Sequence, residues 1–208
     1  MEIYKTIIDD VKTEFTEKHS RFIGYISHTE TDEEAVAFID KIRSMHGDAR
    51  HNVYAYVLNS ENRMRYSDDG EPHGTAGKPI LDIINGAELK DVTVVVTRYF
   101  GGILLGTGGL VRAYSKSAKD AIEEADVFLM VPGIVFSVKC EYGKYDALLS
   151  LIDSFEATVE DTIFEDKVEV RFSVSEESAE NFLSALTENF SSTLVAEKID
   201  EKYAKQKI

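Results

Sequence analysis

Val92-Thr93-Val94-Val95-Val96-Thr97-Arg98-Tyr99-Phe100-Gly101-Gly102-Ile103-Leu104-Leu105-Gly106-Thr107-Gly108-Gly109-Leu110-Val111-Arg112 reads as a strand, a glycine-rich loop and the first turn of a helix. Six consecutive β-branched residues, Val92 to Thr97, fit a central strand buried on both faces. Past the loop, Leu110, Ala113, Tyr114, Ser117, Ala118, Ala121, Ile122 and Ala125 recur at helical spacing. A glycine loop between a buried strand and a helix start is where backbone amides can cradle an anion. It is not a dinucleotide fingerprint, because Val111 stands where the third glycine should fall. Basic Arg112, Lys116 and Lys119 sit in the first part of the helix, and Glu123 and Glu124 close it. That order opposes the helix dipole, and a local rule broken beside a glycine loop points to function.

A second loop of the same kind lies upstream, Ser67-Asp68-Asp69-Gly70-Glu71-Pro72-His73-Gly74-Thr75-Ala76-Gly77-Lys78-Pro79. The two loops hold eight of the chain's 13 glycines and two of its three prolines. Each follows a strand and precedes a helix, so they are expected to meet in one concave, anion-binding site. The candidate ligand-binding residues are Arg98, Gly101, Gly102, Gly106, Thr107, Gly108, Gly109 and Arg112 on one side. Asp68, Asp69, Glu71, His73, Thr75 and Lys78 face them, with His51 at the start of a strand. The alternative is that the glycines only let two loops pack closely. Gly77-Lys78-Pro79 is no Walker motif. Asp68, Asp69 and Glu71 fit turn chemistry better than a cation site. His46, His51 and His73 lack the spacing of a zinc helix, so no metal is assigned. Tyr99 and Phe100 suit either base stacking or a lid over the core.

The rest of the chain bounds the answer. Its 208 residues carry net charge −15 and 43% hydrophobic residues, enough for one large or two modest domains. Up to Val131 there are 15 Lys/Arg against 22 Asp/Glu, and from Pro132 onward 8 against 16. Both parts are acidic, which disfavours long duplex contacts more than a local phosphate site. The single cysteine, Cys140, forbids an intrachain disulfide and reads as a small core residue on a strand. With no long apolar run and no signal peptide, a cytoplasmic location is expected and a membrane is not.

Strands over Ile3 to Ser27 lead to a helix capped at Thr31 or Asp32 and ended at Gly47. Val131-Pro132-Gly133 reads as a turn dividing domain 1–131 from domain 132–208. Beyond it the patterns run β-α-β-β-α-β, the split βαβ of a ferredoxin-like domain. Thr193 to Ile199 closes as a strand, and Glu197 to Ile208 reads as a frayed charged tail. The fold class is therefore α+β.

Several long motifs now stand in order: Ala49-Arg50-His51-Asn52-Val53-Tyr54-Ala55-Tyr56, Tyr66-Ser67-Asp68-Asp69-Gly70-Glu71-Pro72, Val96-Thr97-Arg98-Tyr99-Phe100-Gly101-Gly102 and Leu105-Gly106-Thr107-Gly108-Gly109-Leu110-Val111-Arg112-Ala113-Tyr114. Together they resemble the YigZ/IMPACT family along the whole chain, in its bacterial two-domain form. The resemblance implies an N-terminal domain of the ribosomal-protein/elongation-factor βαβ superfold and a ferredoxin-like C-terminal domain. It also implies a tie to translation, since the eukaryotic relatives regulate translation through the kinase pathway that senses amino-acid starvation. Those relatives carry a further partner-binding domain without counterpart in these 208 residues, so that partnership is not carried over. The family often has Lys where Leu104 stands and Ser where His73 stands.

The resulting expectation is a translation-associated regulatory or binding protein that contacts RNA or another phosphate-bearing ligand. RNA, the ribosome or translation factors are the partners, and no cofactor is called for. A small-molecule enzyme of phosphoryl-transfer or hydrolase type, with Asp68 or Glu71 as base, is one alternative. A protein–protein adaptor using the acidic second domain is the other.

Overall fold

The computed structural model describes residues 1–60 and 63–207. The chain divides into two compact units, Lys5–Val127 and Met1–Tyr4 together with Phe128–Ile208.

In the first unit, β2 (Val11–Glu17), β3 (Ser20–His28), β4 (His51–Leu58), β5 (Arg63–Ser67) and β6 (Val92–Tyr99) form one sheet in the order β2-β3-β6-β4-β5. Every neighbouring pair is antiparallel. β3 and β4 therefore run parallel on either side of β6, joined by α1 (Asp32–Met45), which makes the split βαβ. Thr31 caps α1 by accepting from the Glu34 amide. The helix ends at His46, and Gly47 does not take the left-handed conformation expected of it.

Both faces of β6 are covered, as its β-branched sequence requires. Val92, Val94 and Val96 pack with residues of α2 (Gly77–Gly86) and α3 (Thr107–Glu124). Val95 packs on the other face with Phe38, Ile39 and Ile42 of α1. These two clusters draw on no residue outside 5–127. A fragment of residues 5–127 should therefore unfold in one cooperative thermal transition. A broad, non-cooperative melt would show that the unit is not autonomous.

The second unit follows the expected order, β7 (Val127–Cys140), α4 (Tyr145–Ser154), β8 (Thr158–Phe164), β9 (Val168–Ser175), α5 (Glu176–Asn189) and β10 (Ala196–Lys207). The strands lie β10-β7-β9-β8, all antiparallel, and β1 (Tyr4–Ile7) lies at the start of the chain. Leu148 and Ile152 of α4 and Ala179, Phe182 and Leu186 of α5 cover one face of the sheet. Cys140 is buried on β7.

Two expectations need correction here. Val131-Pro132-Gly133 is not a turn but the middle of β7, opposite Tyr203 and its neighbours on β10. Pro132 pairs with Tyr203 of β10, and the pairing of β7 with β9 begins only at Gly133. Nor is the C-terminal stretch frayed. It is β10, paired to β7 from Ala196 as far as Lys207, while Ile208 lies outside the described residues.

Candidate functional site

The first loop leaves β5 and is organised by Asp68. Its Oδ2 accepts from the Gly74 amide at 2.8 Å, and its Oδ1 from Gly77 at 2.9 Å and Ala76 at 3.2 Å. No side chain of the adjacent residue caps α2, so Asp68 caps it from eight residues away. A carboxylate suits that position, where amides converge and the helix dipole is positive. Asp69 takes a positive φ of 44° and accepts from the Asn52 amide at 2.6 Å. Thr75 donates its hydroxyl to the Pro72 carbonyl at 2.6 Å. His73 is exposed, and Lys78 is ion-paired with Asp82.

The second loop leaves β6 and is pinned at Gly101. A Cβ there would lie 2.0 Å from the backbone of His19, in the turn between β2 and β3, so only glycine permits the approach. Gly106, at φ +71°, then starts α3, its carbonyl accepting from the Leu110 amide at 2.9 Å. No side chain caps this helix. Among the described residues, the amides of Thr107, Gly108 and Gly109 have no acceptor. Three free donors at a positive dipole end are left facing outward.

The two loops are joined by a buried charge pair. Glu71 Oε1 accepts from Arg98 at 2.5 Å and from the Tyr114 hydroxyl at 2.8 Å, with His51 Nε2 at 3.7 Å. The side chains of Glu71 and Arg98 are only 3% and 6% exposed. The Arg98 guanidinium lies against the Phe22 and Phe100 rings, 5.6 and 5.5 Å from their centroids, and its Nε has no hydrogen-bond partner. Burial, reinforced by the Glu71 carboxylate, pushes the Tyr114 phenol far above its ordinary range, so it stays a proton donor. His51 donates from Nδ1 to the Asp69 carbonyl at 2.7 Å, which fixes the ring with Nε2 toward Glu71.

Above this pair lies a pocket of about 480 Å³. Arg50, His51, Glu71 and Pro72 line one side, and Arg98, Phe100, Leu104, Leu105, Gly106, Thr107 and Leu110 the other. The loops thus meet in one concavity. Arg98, Glu71, His51, Gly106 and Thr107 come together in it. Arg112 lies instead in an adjoining depression of about 220 Å³ with Gly109, Lys18 and Lys116. Asp68, Asp69 and Thr75 are committed to shaping the first loop, while His73 and Lys78 do not line the pocket. Gly101 and Gly102 shape the second loop without lining the pocket.

Arg50 and Tyr114 were not among the residues expected at the site. Arg50 stood in the Ala49-Arg50-His51 motif, which was the available signal. Tyr114 was legible as a core position of α3 and as the last residue of the motif that begins at Leu105. Both nitrogens of His46 are engaged, by Tyr25 at 2.6 Å and Tyr99 at 2.8 Å, and burial holds its pKa below the ordinary imidazole value. Among the described residues no group of three His, Cys, Asp or Glu side chains is arranged to hold a metal. No helix of the described residues is long and apolar enough to cross a membrane.

Comparison with known proteins agrees with this architecture. The Impact N-terminal domain matches residues 18–122, and a domain of unknown function, DUF1949, matches residues 138–193. An IMPACT family member of Haemophilus influenzae is 39% identical over 186 residues, covering 88% of this chain and 90% of that protein. The IMPACT family member YigZ of Escherichia coli is 37% identical over 157 residues, 74% of each chain. A crystal structure described as that of a hypothetical protein superposes with a TM-score of 0.62 at 32% identity, covering 96% of this chain and 98% of the other. With both domains matched in order and relatives aligned over most of their length, this chain belongs to the YigZ/IMPACT family.

Proposed function

We propose that this protein is a translation-associated regulatory protein that binds RNA through the pocket between its two glycine loops. The tie to translation rests on membership of the IMPACT family. The RNA reading rests on one observation: Thr107, with its unbonded amide at the start of α3, lines the same pocket as Arg50, together with apolar Phe100 and Leu104. Amides and a cation suit a phosphate, and Phe100 and Leu104 offer a surface for a base. Arg98 is not the cation that matters, because Glu71 already neutralises it.

The enzyme alternative draws less support. The carboxylates that would act as base are both committed, Asp68 to three amides and Glu71 to Arg98 and Tyr114.

The test is fluorescence anisotropy of labelled single-stranded RNA at low salt, with Arg50→Ala beside the natural protein. The variant should bind about tenfold more weakly, in line with loss of one strong phosphate contact. Binding to the natural protein should weaken steeply with added salt. Unchanged affinity in the variant, or no RNA binding at any salt, would remove the pocket from consideration.

A further inference from the structure

We infer that a second phosphate subsite, built from Lys18, Arg112 and Lys116, lies on the other flank of α3, so that the ligand is a single strand crossing the helix start. This rests on the phosphate-pocket reading above and extends it from one phosphate to a chain of them. The adjoining depression that Lys18, Arg112 and Lys116 line shares Leu105 with the pocket, so the two meet at that residue. Arg112 and Lys116 are neighbours on one face of α3, four residues apart.

Cations without an ion pair gather in this region. Acids outnumber bases 38 to 23 in this chain, so a partner is easily found for most cations. Lys41, Arg43, Lys78, Lys119 and Lys139, for example, all sit in ion pairs. Among the described residues Lys18, Arg50 and Arg112 take part in none, and neither do Lys12, Arg65, Lys144, Lys205 and Lys207; of these, Lys18, Arg50 and Arg112 are the ones that line the two depressions. Arg112 stands in the second turn of α3 and reaches back toward the helix start, its Nη1 3.7 Å from where a Cβ on Gly108 would lie. Of the three residues with free amides, Thr107 lines the pocket and Gly109 the adjoining depression, and the buried Arg98, whose Nε is unpartnered, lines the pocket.

The position of Lys18 is fixed rather than incidental. Lys18 and His19 both have positive φ, 46° and 65°, the form of a tight two-residue hairpin turn. That turn is held against Gly101, the residue that cannot carry a side chain, and Ser20 accepts from the Gly101 amide at 3.2 Å. Lys116 lies 4.9 Å from the Phe15 ring centroid and is also paired with Asp120. Glu17 is the one acid lining this depression, which limits the subsite to a single phosphate rather than a dense polyanion. With net charge −15 over the whole chain, a long duplex is repelled, and a short single strand fits the local cluster.

The experiment measures anisotropy of labelled oligouridylates, from a single nucleotide up to about nine, a span covering common single-strand site sizes. The natural protein is compared with the Lys18→Ala/Arg112→Ala double variant and with Arg50→Ala. Both substituted cations are exposed and unpaired, and thermal melts will confirm that the variants remain folded. In the natural protein, affinity should climb at least tenfold with length and then level off. The double variant should match it on a single nucleotide, lose most of the gain with length, and show a salt slope shallower by about 1.4, two single-strand contacts. If a single nucleotide binds as tightly as the longest strand, or the double variant keeps the full length gain, the second subsite is overturned while the pocket stands. If Arg50→Ala has no effect on a single nucleotide, the pocket reading fails instead. If no length of RNA binds, both fail.

Discussion

Replacing Glu71 with alanine should destabilise the first domain by about 3–5 kcal/mol, the cost of stranding one member of a buried ion pair. Arg98 would be left 6% exposed, with its Nε already unpartnered and its charge uncompensated. Tyr114 would lose its acceptor as well. For a unit of this size the melting temperature should fall by roughly 10–20 °C. The paired variant Glu71→Ala/Arg98→Met should recover a good part of the loss, since an apolar replacement of both partners removes the stranded charge. Differential scanning calorimetry of the natural protein and the two variants checks both statements. A Glu71→Ala protein that melts unchanged would mean that Glu71 is held for a ligand rather than for the scaffold.

That distinction marks the limit of what the sequence could say. The central strand, the helix of α3 and the βαββαβ order of the second domain were all legible, because each is written in a local apolar period. β6 shows it best: six β-branched residues can be buried on both faces only in the middle of a covered sheet. Glu71 shows the opposite. Between Gly70 and Pro72 it reads as an ordinary turn acid, and only the fold brings Arg98 from 27 residues away to bury it. Beyond Ile199, β10 escaped for a different reason. Most of its residues on both faces are exposed, so no hydrophobic alternation distinguishes it from a solvated tail. Gly133 was misread as punctuation, when a side chain there would meet Ala204 Cβ at 2.6 Å. A glycine needed for close strand approach and one needed for a turn look alike in sequence.

Asp68→Ala should produce the second largest loss, about 2–4 kcal/mol, from three amides left without their charged acceptor. Ala76 and Gly77 are buried, so water cannot readily replace the carboxylate, and the dipole of α2 loses its compensating charge. Asp68→Asn separates capping from charge. Its single carbonyl oxygen can still accept from Ala76 and Gly77, while its amide group turns a donor toward the Gly74 N–H, so about half the loss should remain. Hydrogen exchange gives the local readout. The Gly74, Ala76 and Gly77 amides should lose protection in Asp68→Ala ahead of the β6 core, because the cap opens before the sheet does. RNA affinity should fall only modestly at a temperature where the variant is folded, since Asp68 itself does not line the pocket. If Asp68 were instead a general base or a cation ligand, Asp68→Asn would leave stability and amide protection unchanged. That outcome would return the first loop to the enzyme reading.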